Sequence, residues 1–199
     1  MTEKEKMLAG KLYFAGEEEL KRERLRAKEM VYLFNTLPPA SQEERYKILM
    51  ELLGNAGENI YIEPPFRCDY GYNISIGENF YANYNLTVLD CAPVEIGDCV
   101  MLAPNVSILA AGHPLDAQWR NTGLEYGQPV KIGSNVWIGA GAIINPGVTI
   151  GDNVVIGSGS VVTKDIPADV VAVGNPCRVL RPIQPKDKVY YFKDKIAEE

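Results

Sequence analysis

The sequence predicts a mainly β fold in which short strands stack into a regular parallel coil, with a helical segment before it and a short helix after it. Three observations support this. Aliphatic residues recur every six positions, Gly, Asn and Asp stand at the turns between them, and helical patterns precede the repeats. A period of six fits neither a 3.6-residue helix nor a two-residue strand alternation, and a fixed period indicates a repeat architecture.

The repeat is clearest in the second half of the chain. Aliphatic residues share one phase at Ile132, Ile138, Ile144, Ile150, Ile156 and Val162. The same phase holds earlier, at Ile96, Leu102 and Ile108, and again at Ile76, Ala82 and Val88. The step from Val88 to Ile96 carries two extra residues, which predicts one irregular turn. We expect these side chains to point inward, each stabilising the fold by about 1.5–3 kcal/mol.

Two helices are predicted ahead of the coil. The first runs from about Glu17 to Asn35 and stops before Pro38, because proline cannot continue a helix. Its apolar stripe is predicted to consist of Leu20, Leu25, Val31 and Phe34. The second begins at Ser41, which predicts a capping box with Glu44. Its predicted apolar face consists of Ile48, Leu49, Leu52 and Leu53.

The six-residue period lapses between Gly112 and Val130, which predicts a loop extruded over residues 112–130 from one corner of the coil. Long loops in compact repeats are usually functional, and His113, the only histidine of the chain, lies at the start of this one. The predicted organisation is a helical segment over residues 1–57, a coil over 58–184 and a tail helix over 185–199. The tail helix is expected to pack back through Val189, Tyr190, Phe192 and Ile196.

Composition narrows the function and the compartment. A net charge of -6 argues against nucleic-acid binding, and no apolar run reaches the roughly 20 residues that span a membrane. The start, MTEKEKMLAG, alternates charges and lacks the apolar core of a secretory signal, so we expect a cytoplasmic protein. None of the cysteines has CxxC spacing, which favours free thiols over a zinc site or a disulfide framework: Cys68, Cys91, Cys99 and Cys177.

Several segments match one known group of enzymes: MTEKEKMLAGKLY, YIEPPFRCDYGYNISIGENFYANYN, LAPNV, GHP, the run from IGSNVW to VVTKDIP, and GNPCRV. Together they resemble the hexapeptide-repeat sugar O-acetyltransferases of the maltose and galactoside acetyltransferase family, most of all its maltose enzymes. The resemblance implies a left-handed parallel β-helix and a homotrimer with active sites between subunits. It also implies acetyl-CoA as donor, a sugar hydroxyl as acceptor, no metal, and an acceptor-site role for the N-terminal segment.

The resemblance also implies roles for single residues. His113 matches the general base that takes the proton of the acceptor hydroxyl during direct transfer, and Asn83 matches the donor to the developing oxyanion. The positions that match the acceptor site are Asp69, Asn83, Cys91 and Glu125. The positions that match the CoA site are Trp137, Ala140, Ser158, Thr163, Lys164, Arg178 and Arg181.

Three positions depart from the galactoside branch. Ala15 and Cys91 stand where that branch has carboxylates, and Glu125 stands where it has a loop methionine. These differences leave the acceptor sugar open while the donor and the reaction are expected to be retained. Some roles also have a structural alternative: Asp69 as a turn former, Trp137 as ordinary packing and Arg181 as a solvated cation.

Other functions on this fold make different demands. A γ-type carbonic anhydrase needs three histidines at zinc, which one histidine per chain cannot supply. A sugar nucleotidyltransferase needs a further nucleotide-binding domain, and a serine acetyltransferase carries a larger helical domain. Two alternatives stay open: a xenobiotic (chloramphenicol-type) or galactoside acetyltransferase on the same coil, and a trimeric scaffold that does not bind CoA.

Overall fold

The computed structural model describes residues 1–193 and 195–196. The helices of this part are α1 (Glu3–Leu8), α2 (Glu18–Thr36), α3 (Gln42–Leu52), α4 (Ala117–Arg120) and α5 (Lys186–Val189). No helix in the described part is long and apolar enough to cross a bilayer. Most of the remaining chain forms a parallel β-helix, as the six-residue period predicted.

The β-helix has three faces, each a sheet of parallel strands. The first face contains Tyr61–Ile62, Tyr81–Ala82, Met101–Leu102, Trp137–Ile138, Val155–Ile156 and Val170–Val173, with Arg178–Pro182 added antiparallel. The second face contains Phe66–Cys68, Leu86–Leu89, Ser107–Leu109, Ile143–Ile144 and Val161–Val162. The third face contains Asn55–Ala56, Ile74–Ile76, Val94–Ile96, Val130–Ile132 and Thr149–Ile150.

The in-phase aliphatic side chains form the core of the coil, as predicted. All twelve are at most 5% exposed, and equivalent residues of successive turns stack, for example Ile138 on Ile156 and Ile144 on Val162. The irregular turn predicted between Val88 and Ile96 lies at residues 90–93.

Extra residues accumulate at the corner between the second and third faces, which we call the insertion corner. Buried in-phase residues flanking it are 8 positions apart in the first two turns, from Cys68 to Ile76 and from Val88 to Ile96. In the third turn, Ile108 and Ile132 are 24 positions apart, whereas the spacing at the regular corners is 6. Three successive turns therefore project their additional residues at one corner.

At the corner between the third and first faces, one residue in each turn has a left-handed backbone conformation. These are Asn59, Asn79, Cys99, Asn135, Asn153 and Asp169, with φ between 54° and 61°. Asparagine tolerates this backbone conformation, and side chains in successive turns are hydrogen bonded, as from Asn59 Nδ2 to Asn79 Oδ1 (3.2 Å). Cys99 interrupts this column of side chains.

The N-terminal helices differ from the predictions in three details. Helix α1 was not predicted, although Thr2 and Glu5 form the capping box that begins it. The capping box predicted at Ser41 and Glu44 is wrong. Ser41 donates its backbone N–H to Pro38 O in a tight turn, its ψ of 55° is not extended, and its side chain makes no cap hydrogen bond.

Helix α2 has the predicted extent and packs against the second face. Leu20, Val31 and Phe34 are buried as predicted, whereas Leu25 is 57% exposed. Leu25 lies five residues after Leu20, which places it roughly 140° around the helix, away from the stripe. The side chain of Asn35 holds the helix to the coil, because its amide bonds both the N–H and the carbonyl of Phe66 (2.8 and 2.9 Å).

The C-terminal tail differs from the prediction of a helix over 185–199. Helix α5 ends at Val189, and Tyr190–Phe192 pairs antiparallel with Lys195–Ile196, in keeping with the strand preference of aromatic residues. The predicted packing is also wrong, because the four side chains are 43–57% exposed: Val189, Tyr190, Phe192 and Ile196. Asp194 and residues 197–199 lie outside the described part.

Candidate active site

The loop at the insertion corner is tied to the N-terminal segment by a small antiparallel sheet. Its strand Leu124–Gly127 pairs on one side with Ala111–Gly112 and on the other with Tyr13–Phe14. The glycine at 112 leaves room for Tyr126, since a Cβ there would lie 2.6 Å from the end of that ring and would displace it. His113 follows this glycine directly, so the sheet fixes the backbone from which the imidazole projects.

The imidazole of His113 is exposed in the single chain and, among the described residues, makes one hydrogen-bonding contact. Its Nδ1 lies 3.2 Å from the carbonyl oxygen of Leu124. A carbonyl oxygen only accepts hydrogen bonds, so this contact requires a proton on Nδ1. The neutral ring then has its lone pair on Nε2, which is the arrangement of an imidazole ready to accept a proton.

Acidic side chains gather beside this loop. Tyr13 is buried and donates its hydroxyl to Glu125 Oε2 (2.8 Å). Burial, together with the negative charges of Asp90 and Glu125, raises the pKa of Asp69 to about 6. Arg24 and Lys28 act in the opposite direction on that pKa. The site therefore holds a partly buried carboxyl that ionises near neutrality next to a second carboxyl.

Asp90 forms the turn that presents Asp69. It is fully buried, and its Oδ1 accepts from the backbone N–H groups of Asp69 (3.0 Å) and Tyr70 (2.9 Å). Burial raises the pKa of Asp90. Within the described residues, the carboxylate of Asp69 makes no hydrogen bond, so Asp69 is not the turn former and its oxygens are free for a ligand.

The predicted acceptor contact at Cys91 is not supported by its position. Its side chain is 1% exposed, lies among buried residues that include Tyr13 and Tyr70, and has its Sγ 3.5 Å from Ala110 O. Burial raises the pKa of this thiol to about 12. An enclosed, protonated thiol is unavailable to a sugar hydroxyl, so Cys91 contributes packing beneath the site.

Several residues of the predicted CoA site lie along the first face and the corner that follows it. Ala140 and Ser158 are on that corner, which joins the first and second faces, and Asn83 of the predicted catalytic pair lies there too. Trp137 is 52% exposed on the first face, in the same row as Arg181 three strands further on, with Val155 and Val171 between them. Within the single chain, exposure of this size does not fit packing of Trp137 in the core of the coil.

Asn83 is oriented by its own turn. Its Oδ1 accepts from the N–H of Tyr84 (2.8 Å), which turns the amide NH₂ away from that turn. Over the described residues, this NH₂ donates no hydrogen bond within the chain. His113 is rooted at the next corner, across the width of one face, which for four strand residues is roughly 13 Å. Within a single chain, the backbones of Asn83 and His113 therefore lie at different corners of the coil.

The remaining predicted residues lie near the end of the coil. Thr163 and Lys164 are exposed directly after Val161–Val162, on the later turns of the insertion corner. Arg178 is exposed and donates to Cys177 O (2.7 Å). Arg181 is paired with Asp187 at the surface through two contacts of 2.6 and 2.9 Å.

Sequence reasoning missed the residues that support the site from beneath. Tyr13, Arg24 and Tyr70 belong to this group, and Arg24 donates both to the hydroxyl of Tyr70 (2.6 Å) and to the carbonyl of Ala15. These contacts join positions far apart in sequence, so no local pattern indicates them. Within the described ranges, no group of three or more His, Cys, Asp or Glu side chains is arranged to hold a metal ion.

Comparisons with known proteins agree with this architecture. Residues 6–57 match the maltose acetyltransferase hexapeptide capping motif, and residues 129–164 match six repeats of the bacterial transferase hexapeptide. The chain is 52% identical over 190 residues to the galactoside O-acetyltransferase of Escherichia coli strain K12, covering 96% of this chain and 94% of the relative. The chain belongs to the maltose and galactoside O-acetyltransferase family.

Solved structures of family members share the whole fold. A maltose O-acetyltransferase from Clostridium difficile 630 is 61% identical, with a TM-score of 0.91 over 92% of this chain and 98% of that chain. A galactoside acetyltransferase solved in complex with coenzyme A is 51% identical, with a TM-score of 0.97 over the full length of both chains. The predictions of family and of acetyltransferase function are thereby confirmed.

Proposed function

We propose that this enzyme moves an acetyl group from acetyl-CoA to a hydroxyl of a sugar such as maltose or glucose, with His113 as general base. The observation that carries the proposal is the contact between His113 Nδ1 and Leu124 O, which leaves Nε2 as the proton acceptor. The bound coenzyme A of the related galactoside enzyme supports the choice of donor.

The proposed transfer is direct. Nε2 of His113 takes the proton of the acceptor hydroxyl while its oxygen attacks the carbonyl carbon of the acetyl thioester. The new C–O bond forms, the C–S bond breaks, and the departing CoA sulfur takes the proton back from the imidazolium. Acetyl ester and free CoA leave, and the histidine returns to its neutral form.

Asn83 is assigned to the negative charge that develops on the thioester oxygen. Because its Oδ1 is engaged by Tyr84 N–H, the amide NH₂ is presented as a fixed, neutral donor. Fixed donors of this kind stabilise an oxyanion without reorganising during the reaction.

The acceptor is assigned to the carboxylates at the insertion corner. Asp69 has free carboxylate oxygens, and the hydrogen bond from Tyr13 holds Glu125 in place. Carboxylates accept hydrogen bonds from sugar hydroxyls, which the acceptor offers in number. Asn83 is retained as a further acceptor contact, whereas the burial of Cys91 removes it from this set.

The donor is assigned to the first face and the end of the coil. The pantetheine arm follows Trp137, Ala140, Ser158, Thr163 and Lys164. The phosphates lie near Arg178 and Arg181, since guanidinium groups suit phosphate recognition.

We assign the active assembly as a homotrimer, because a single chain roots His113 and Asn83 at different corners. A neighbouring copy brings the first-face corner of one chain to the insertion corner of another. The outward row Tyr61, Tyr81, Met101 and Trp137, each 36–52% exposed, is the surface that such a neighbour covers. All four cysteines are free, which supports a cytoplasmic location.

The experiment that tests the proposal is the turnover of His113→Ala with acetyl-CoA and maltose. We expect kcat to fall by about 10²–10⁴-fold, the usual contribution of a general base. Leu115→Ala is the matched control, because Leu115 lies in the same loop and is 97% exposed. Near-normal turnover by His113→Ala, with the control unchanged, contradicts the assignment.

A galactoside is the second candidate acceptor. The identity of 52% to the Escherichia coli galactoside enzyme favours it, whereas the differences at Ala15, Cys91 and Glu125 lie at the acceptor corner and argue for another sugar. Turnover across glucose, maltose, thiogalactosides and chloramphenicol separates these candidates and also tests the xenobiotic alternative. Preference for thiogalactosides over maltose would favour the second candidate.

A further inference from the structure

A groove of about 580 Å³ runs between helix α2 and the outward side of the second face. Its walls include Lys28 and Tyr32 on the helix, and Arg67 and Thr87 on the strands. A volume of this size lies within the range of small-molecule sites. Apart from Asp69 at one end, the residues that line it have no part in the transfer described above.

The groove is continuous with the proposed acceptor site, because Asp69 belongs to both. A sugar held by Asp69 for reaction therefore has the groove next to it. The far wall is fixed in position, since the side chain of Asn35 bonds the backbone of Phe66 through both its oxygen and its nitrogen. The groove is thus a preformed extension of the acceptor site.

Positive charge is the distinctive chemical feature of this groove. Lys28 on the helix and Arg67 on the coil are both exposed, and neither makes an ion pair or a side-chain hydrogen bond with any residue in the described part. The chain as a whole carries a net charge of -6, so two cations on facing walls are a local departure. The acid that lines the groove is Asp69 at one end, whose pKa Lys28 lowers, which leaves an excess of positive charge. Such a pair complements an anionic group.

The groove also offers an aromatic surface. Tyr32 is 68% exposed, whereas Phe34, two residues further along the same helix, is fully buried against the coil. A tyrosine ring combines an apolar face with a polar hydroxyl, which suits contact with a sugar ring that has one apolar face and polar edges.

We propose that this groove is a second acceptor subsite, which binds a further sugar ring bearing a carboxylate, so that the preferred acceptor is an acidic oligosaccharide. The reacting ring lies at Asp69, the next ring lies against Tyr32, and its carboxylate lies between Lys28 and Arg67. The inference rests on the proposed function, since it extends the acceptor site of that reaction.

The test compares two disaccharides with the same reacting ring, one with glucose and one with glucuronic acid as the second ring. For the unmodified enzyme we expect kcat/KM to be roughly five- to tenfold higher for the acidic acceptor, because two exposed ion pairs contribute about that much binding. The difference should appear as a lower KM for the acidic acceptor, with kcat unchanged. Lys28→Gln and Arg67→Gln should each reduce this preference, and the double variant should abolish it. At a pH well above the pKa of Asp69, where that carboxylate is ionised with or without Lys28, turnover of the neutral disaccharide should not change.

Lys21→Gln is the matched control, because Lys21 lies on the same helix and its partner is Glu18, outside the groove. Equal turnover of both acceptors by the unmodified enzyme overturns the inference, as does an equal loss for both acceptors in the variants. A change in oligomeric state, measured by light scattering, together with an equal loss indicates that a second copy covers the groove, which also overturns it.

Binding measured by calorimetry separates this inference from the proposed function. If neither disaccharide is acetylated, the proposed function fails, whereas tighter binding of the acidic disaccharide that is lost in the double variant still supports the groove. If neither compound binds more tightly than the other, the inference fails whatever the turnover.

Discussion

Single residues in the site owe their chemistry to one or two neighbours each. Leu124 O assigns the proton of His113 to Nδ1, Tyr84 N–H fixes the amide of Asn83, and Asp90 holds the turn that presents Asp69. In each case a backbone group, or a buried side chain bound to backbone, sets the orientation. The proposed roles of these residues therefore depend on a few local hydrogen bonds.

Replacing Asp69 is expected to change how stability depends on pH. Its pKa rises from an ordinary value of 3.8 to about 6 on folding, so the folded chain holds this proton more tightly than the unfolded chain. The wild type should lose stability relative to Asp69→Asn as the pH rises from about 4 to about 6, and the difference should then level off. Thermal unfolding of both proteins across this pH range measures it.

A difference that stays constant over that pH range would show that Asp69 titrates alike in the folded and unfolded chains. A difference in the opposite direction would show that its carboxylate is stabilised on folding. Either result contradicts the buried, acidic surroundings described for this residue.

At the scale of elements, the corners of the coil depend on residues that accept a left-handed backbone. Cys99 is the exception in a column that otherwise consists of Asn and Asp, with a φ of 55°. A left-handed conformation costs an ordinary residue about 1–2 kcal/mol, a cost that asparagine largely avoids. The same position also breaks the hydrogen bonding between side chains of successive turns.

Cys99→Asn is therefore expected to stabilise the protein by about 1 kcal/mol. For a chain of this size, that corresponds to an increase in Tm of roughly 2–4 °C in a thermal unfolding experiment. Cys99→Ser is the control, because it removes the thiol without introducing a residue suited to this backbone. An equal gain from both replacements would attribute the effect to the thiol instead of the backbone.

Elements were predictable from sequence where a period or a terminator marks them. Proline marks the end of α2, and the six-residue period marks the positions of the strands. The tail hairpin and the exposure of Leu25 depend instead on which face each element presents to its neighbours. The capping pattern at Ser41 and Glu44 fails because the preceding proline turn fixes the backbone. The strand Tyr13–Phe14 exists only through its pairing with Leu124–Gly127, far along the chain.

At the scale of the whole molecule, stability comes from the column of aliphatic side chains inside the coil. Ile144 is fully buried and stacks on Ile108 and Val162 in adjacent turns. Each turn of the coil buries its neighbours, so the interior is continuous from the helices to the last turn.

Ile144→Ala is expected to reduce the free energy of unfolding by about 2–5 kcal/mol, because the surrounding turns cannot collapse into the cavity. Thr149→Ala is the control, since it changes an exposed side chain of the next strand. Denaturant unfolding measures both variants. An unchanged midpoint for Ile144→Ala would contradict the register of the coil.

The sequence was most informative about the coil and least informative about the side chains that meet at the proposed acceptor site. The repeat carries its signal in every turn, whereas Asp69, Glu125 and Tyr13 meet only after the loop folds back on the N-terminal segment. Burial of Cys91 is likewise a property of that packing. Contacts between residues so far apart in sequence produce no periodic pattern from which they could be predicted.

The insertion corner, to which we assign the acceptor, adds residues beyond the regular six-residue spacing that stacks the coil. The inward residues that flank its three enlarged turns stay stacked although the turns differ in length, and Ala92 and Ala110 within those turns also pack into the core. We expect that three segments can be exchanged as a set between relatives while the rest of the coil is kept: 69–73, 90–93 and 110–129. Because the longest of them pairs with Tyr13–Phe14, such a graft must carry its own N-terminal strand.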